Sequence, residues 1–150
     1  MTDEDYMREA LVEAQAASAR GEVPVGAILV DPADGRIISR TGNAPIGVLD
    51  PTAHAEILAI RDAAYHSGNY RLGGLTLYVT LEPCTMCVGA IAHARITRLV
   101  YGASDPKGGA VENGVRFFEQ KTCHHRPEVT GGILADEASA LLKSFFKSRR

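Results

Sequence analysis

The chain has 150 residues, 45% of them hydrophobic and 23% charged, with a formal net charge of −2. That length and balance fit a single soluble globular domain over residues 1–150, long enough to bury most of its apolar surface. No apolar run approaches the roughly 18–20 residues that cross a bilayer. The acidic start Met1-Thr2-Asp3-Glu4-Asp5 lacks a signal-peptide pattern, so a cytoplasmic protein with no membrane partner is expected.

Residues 4–20 place Met7, Leu11, Ala14 and Ser18 at helical spacings of three and four, with Gly21 as a stop. Residues 25–30 read as a strand, 31–35 as a turn and 36–40 as the returning strand of a hairpin. Residues 41–53, with Gly42, Asn43, Pro45, Gly47 and Pro51, read as an ordered loop. Helical periodicity returns over 54–66, with Ile57, Ile60 or Arg61, and Ala64 along one side. Residues 75–81 form a strong strand running into Glu82-Pro83-Cys84, and Pro83 suits the first position of a helix over about 84–94. Residues 96–101 are a further strand, 102–114 are Gly-rich and irregular, and 115–120 admit a short helix. Residues 135–148 close the chain as an amphipathic helix, with Leu141, Leu142, Phe145 and Phe146 on its apolar side. Strand–helix alternation after an opening hairpin predicts an α/β fold, a mixed sheet with helices on both faces.

Charge is distributed unevenly. Residues 1–60 carry four basic and ten acidic side chains, whereas 61–150 carry twelve basic and eight acidic. The last ten residues hold Lys143, Lys147, Arg149 and Arg150 with no acid. This allows a local basic face for a nucleic acid, and equally a solvated helix end whose cations the helix dipole favours.

Three cysteines, Cys84, Cys87 and Cys123, are too few and odd in number for a disulfide framework. A close pair then points to metal or redox chemistry. The informative groups are His54-Ala55-Glu56 and Pro83-Cys84-Thr85-Met86-Cys87, both at predicted helix starts. Cys84 and Cys87, three apart in a first helical turn, put two sulfurs on one face, where the helix N-terminus favours thiolate. With His54 they form a three-ligand zinc set that leaves one position open, the mark of a catalytic site. A water in that position would have its pKa lowered to roughly 7. Glu56 would then take its proton and pass it on to the substrate.

Alternatives attach to each part. His-x-Glu triplets occur on ordinary solvated helices, and Cys-x-x-Cys after a strand also fits a redox pair. A structural zinc site would take Cys123, His93 or His124 as its fourth ligand. Both motifs in this order, with Pro83 before Cys84, favour the catalytic reading. Elsewhere, His93 is expected as a helix-end or core histidine, Cys123 as a plain thiol, and Phe145 and Phe146 as at least partly core.

Taken together these residues resemble the cytidine deaminase-like superfamily, and within it the bacterial tRNA-specific adenosine deaminases. The similarity also runs through Glu22–Ala27, Asn43, Asp50–Ala53, Asn69–Leu72, Thr76–Glu82, Gly132–Glu137 and Phe145-Phe146. It implies a three-layer α/β/α sandwich around a five-stranded mixed sheet, a zinc ion in each subunit of a homodimer, and a tRNA anticodon stem-loop as partner. The implied reaction converts adenosine to inosine at the wobble position by hydrolytic deamination. By the same resemblance Asn43 would bind the base or its ribose, and Asp105 and Lys107 would lie near flanking nucleotides. Phe145, Phe146 and Arg149 would border the RNA cleft. Met86, Val88 and Ile91 are apolar enough to share a buried dimer surface. Residues 108–114 depart from the family's usual Gly-Ala-rich stretch ending in Gly-Ser. The competing functions are a deaminase of a free base or nucleoside of the guanine or cytosine type, and a non-catalytic, zinc-stabilised RNA-binding module.

Overall fold

The computed structural model describes residues 1–149, so Arg150 of the basic tail lies outside the described residues. Helix α1 spans Asp3–Ala19, strand β1 Gly26–Asp31, β2 Arg36–Gly42, and helix α2 Ala55–Ser67. They are followed by β3 Thr76–Leu81, α3 Thr85–Ala94, β4 Arg98–Ala103, a 3-10 turn at Phe117–Glu119, β5 Glu128–Thr130 and α4 Ala135–Lys147. No helix among the described residues is long and apolar enough to cross a membrane.

The five strands form one sheet in the order β2-β1-β3-β4-β5. β1 runs antiparallel to both β2 and β3, while β3–β4 and β4–β5 are parallel. A register shift between Leu29 and Val30 bulges the β1–β2 pair. The central strands bury both faces, as near-continuous apolar runs should. Ile28, Val30, Tyr78 and Val100 point to one side, against Tyr6, Met7 and Ala10 of α1. Leu29, Leu77, Val79 and Leu99 point to the other, against Ala59 and Ala63 of α2 and Val88 and Ile91 of α3. Helix α4 packs beside α1 and over β4. The three-layer α/β/α arrangement with a five-stranded mixed sheet is therefore present.

Local chemistry explains the element ends. Thr2 and Asp5 form a reciprocal capping box at the start of α1, and Asp3, Glu4 and Asp5 favour its dipole. α1 lies so close to β1 that a Cβ on Gly26 would fall 2.0 Å from the Ala10 carbonyl oxygen and 2.5 Å from Ala14 N. Only glycine admits that approach.

Several expectations are corrected. The buried face of α1 is Tyr6, Met7, Ala10, Ala14 and Ala17, rather than the stripe through Leu11 and Ser18. The buried residues of α2 are Ala55, Glu56, Ile57, Ala59 and Ala63, because the helix packs closely through alanines. β4 starts at Arg98, two residues late, where the Asp3 carboxylate holds the guanidinium through two hydrogen bonds of 2.8 and 2.7 Å. Pro83 precedes the Cys84 cap instead of opening the helix. Val88 and Ile91 are fully buried in the chain's own core, so of the three residues expected to share a dimer surface only Met86 is exposed. His93 is exposed in the last turn of α3, as a helix-end residue.

Candidate active site

The two ligand-bearing segments enter helices in the same way. His54 caps α2 and Cys84 caps α3, each with extended backbone and neither using its side chain to cap. Their side chains are thus free of the helix. The first N–H of α2 is satisfied by Asn43, whose Oδ1 accepts from Ala55 N at 2.8 Å. The loop between is held by buried Glu22, whose two carboxylate oxygens accept the N–H groups of Ile46 and Gly47 at 3.2 and 2.8 Å. Helices α2 and α3 pack side by side and bring their N-termini together.

There, His54 Nδ1 lies 3.6 Å from both Cys84 Sγ and Cys87 Sγ, and the three donor atoms fall within 4.8 Å of one another. In a tetrahedral zinc site, bonds of about 2.3 Å to sulfur and 2.0–2.1 Å to nitrogen separate S from N by about 3.6 Å. The spacing fits zinc. No other cluster of three or more such donors occurs among the described residues, and no fourth His, Cys, Asp or Glu joins this one. Cys123, the alternative fourth ligand, instead donates its thiol to the His125 carbonyl at 3.1 Å.

The thiols suit the same ion. The hydrogen bond from Cys87 and the N–H groups at the start of α3 pull the Cys84 thiol down to about 5. The same hydrogen bond, followed by burial, pushes the Cys87 thiol up, so two adjacent thiolates need a cation between them. Glu56, in the first turn of α2, is 4% exposed. Burial pushes its carboxyl up to about 7 against the pull of its own backbone N–H.

His54, Glu56 and Cys84 line a cavity of about 370 Å³ together with Asn43, Pro45, Glu82, Asp105 and Gly108. That volume suits a small ligand or one extruded ring. Because Asn43 Oδ1 faces a backbone donor, its amide NH₂ has no partner among the described residues. A second cavity of about 550 Å³ shares Asp105 and is lined by Lys107, Lys143 and Phe146. Phe145 and Arg149 line neither. Phe145 is buried, and the Arg149 guanidinium stacks 4.1 Å from its ring centroid. The buried acids Glu22 and Glu82 escaped the sequence reading, because nothing in the local pattern marks an acid that will collect loop amides.

The cytidine and deoxycytidylate deaminase zinc-binding region matches residues 1–103. The tRNA-specific adenosine deaminase of Agrobacterium fabrum is 57% identical over 97% of this chain and 94% of its own length. The Haemophilus influenzae protein of the same name is 55% identical over 99% and 85%. A solved structure from work on A-to-I editing by tRNA:A34 deaminases at the wobble position of transfer RNA is 58% identical, with a TM-score of 0.89 over 92% of this chain and 99% of that one. Guanine deaminase from Bacillus subtilis is 32% identical, with a TM-score of 0.67 over 99% and 94%. With a donor set spaced for zinc and tRNA-specific adenosine deaminases more than half identical over nearly the whole chain, the chain belongs to the zinc-binding cytidine and deoxycytidylate deaminase family, within its tRNA-specific adenosine deaminases.

Proposed function

We propose that this chain hydrolytically deaminates adenosine to inosine at the wobble position of a tRNA anticodon, releasing ammonia. The observation that carries the reading is the convergence of His54, Cys84 and Cys87, with His54, Cys84 and buried Glu56 lining one cavity. His54, Cys84 and Cys87 hold the metal, and zinc held there supplies the Lewis acidity that makes water a nucleophile at neutral pH. Glu56 accepts the proton of the attacking water and delivers it to the departing exocyclic nitrogen. A single carboxylate beside the reacting atoms can do both in turn. Burial keeps bulk water from competing for that proton.

Asn43 presents its amide NH₂ to the base or ribose. Asp105, Lys107 and Phe146 contact the neighbouring nucleotides in the second cavity, with Phe145 and Arg149 backing the rim. An anticodon loop already exposes unstacked bases, so little pairing energy opposes entry of one adenine into a 370 Å³ cavity. The 150 residues act as one deaminase domain in the cytoplasm. The active species is a homodimer, a reading supported by exposed Met86 and by the exposed apolar Ile46, Val48 and Leu49 that follow the cavity residue Pro45.

The test is nucleoside analysis of anticodon stem-loops incubated with the protein, run beside free guanine, cytosine and adenosine. Inosine at the first anticodon position is expected. Ammonia released from a free base, with none from the stem-loop, would move the assignment to small-molecule deamination.

A further inference from the structure

One buried carboxylate organises a wall of the cavity without belonging to the zinc set. Glu82, between the end of β3 and Cys84, is 2% exposed. Its Oε1 accepts Asp105 N–H at 2.9 Å and the Asn113 side-chain amide at 2.7 Å. Its Oε2 accepts three successive backbone N–H groups, those of Val111, Glu112 and Asn113, at 3.0, 3.0 and 3.1 Å. Such a concave run of amides is an anion-binding arrangement, here filled by a side chain of the same protein.

The loop is also stitched to the ligand-bearing segment. Gly109 pairs with Cys84 in an isolated antiparallel bridge, and Ala110 N–H donates to the Pro83 carbonyl at 2.9 Å. A Cβ on Gly109 would fall 2.3 Å from the Glu82 carboxyl carbon, so the backbone passes directly over that group. Asp105 and Gly108, which line the cavity along with Glu82 itself, are carried by this suspended segment. Five N–H donors around one side chain require two acceptor-only oxygens. A carboxylate offers them, whereas a glutamine would turn an NH₂ toward other donors.

We propose that Glu82 is a positioning residue for the reaction, fixing residues 105–113 so that the outer cavity wall fits the substrate. It acts on substrate fit, not on proton transfer or on metal retention. The proposal rests on the tRNA deaminase reading above.

The experiment uses Glu82→Gln and the milder Asn113→Ala, which removes one of the five N–H hydrogen bonds to Glu82 and leaves the carboxylate in place. Zinc content, amide hydrogen exchange over 105–113, and kcat and KM on an anticodon stem-loop are measured for each. For Glu82→Gln we expect one zinc retained, exchange at 111–113 at least tenfold faster, and KM raised at least tenfold with a smaller change in kcat. Asn113→Ala should shift the same quantities in the same direction by a smaller factor. Wild-type exchange and KM in Glu82→Gln overturns the proposal, and so does loss of zinc from a folded Glu82→Gln protein. Should Glu82→Gln not fold, wild-type exchange and KM in Asn113→Ala overturns it alone. A wild-type protein that forms no inosine defeats the functional reading instead, and the exchange data still judge the role of Glu82 in the loop.

Discussion

Replacing Glu56 by glutamine isolates the proton shuttle from everything else in the site. The side chain keeps its volume in a position only 4% exposed, and it lies outside the three-donor cluster, so fold and zinc content should stay as in the wild type. What disappears is the carboxylate to which the proposed reaction gives the proton of the attacking water. General acid–base catalysis contributes about 10²–10⁴-fold per transfer. The burial of Glu56 denies bulk water a substitute role, which places the loss toward the upper part of that range. At about 1.36 kcal/mol per decade the barrier should rise by about 4–5 kcal/mol. The assay is single-turnover inosine formation on an anticodon stem-loop, with zinc quantified on the same sample. Activity within tenfold of the wild type, at full zinc occupancy, would refute the role given to Glu56.

Other expectations follow from features already described. Chelation should abolish turnover and lower Tm, because an ion bound only by the folded state stabilises it, and added zinc should restore both. Turnover in protein holding less than about a tenth of an equivalent would contradict this. The Arg98 guanidinium, hydrogen-bonded to Asp3, holds that carboxyl below its ordinary value, against the opposing effect of burial. Its folded-state pKa is depressed, so its stabilisation is present above the unfolded carboxylate value of about 3.9 and is lost as pH falls through the lower, folded one. Thermal melts should therefore show the wild type losing its advantage over Asp3→Asn in that acidic window, and an advantage independent of pH would refute the pairing. Stem-loop affinity should fall with salt, and Lys143→Ala should reduce the slope of log K against log salt by about 0.7 if it contacts one phosphate of a single strand. An unchanged slope removes Lys143 from the RNA interface.

Much of the architecture was legible because strong signals coincided. β1 and β3 are apolar runs buried on both faces, and the two motif segments begin helices where a loop or strand stops. The meeting of His54 with Cys84 and Cys87 could be expected from donor chemistry alone, since each side chain projects from a helix start. Other elements gave no local sign. β5 is three partly or fully exposed residues, Glu128–Thr130, that become a strand only because β4 offers an open edge. The face of α1 was misread because alanines at 10, 14 and 17 bury as completely as larger residues when a glycine opposite lets the backbones approach. Phe145 and Phe146, adjacent in sequence, separate into core and cavity lining because consecutive helical residues point about 100° apart. Glu82 was invisible as a hub because its partners lie more than twenty residues downstream in an irregular loop.

The margins of the sheet bear on how copies of this protein can meet. At one side β2 carries Arg36 and Arg40 and is bent away by the bulge in its pairing with β1; at the other β5 is too short to guide a neighbour. Both are devices that stop a foreign strand from extending the ladder. A neighbouring copy is thus denied both sheet edges, and the hydrogen-bonded frame stays a property of the single chain.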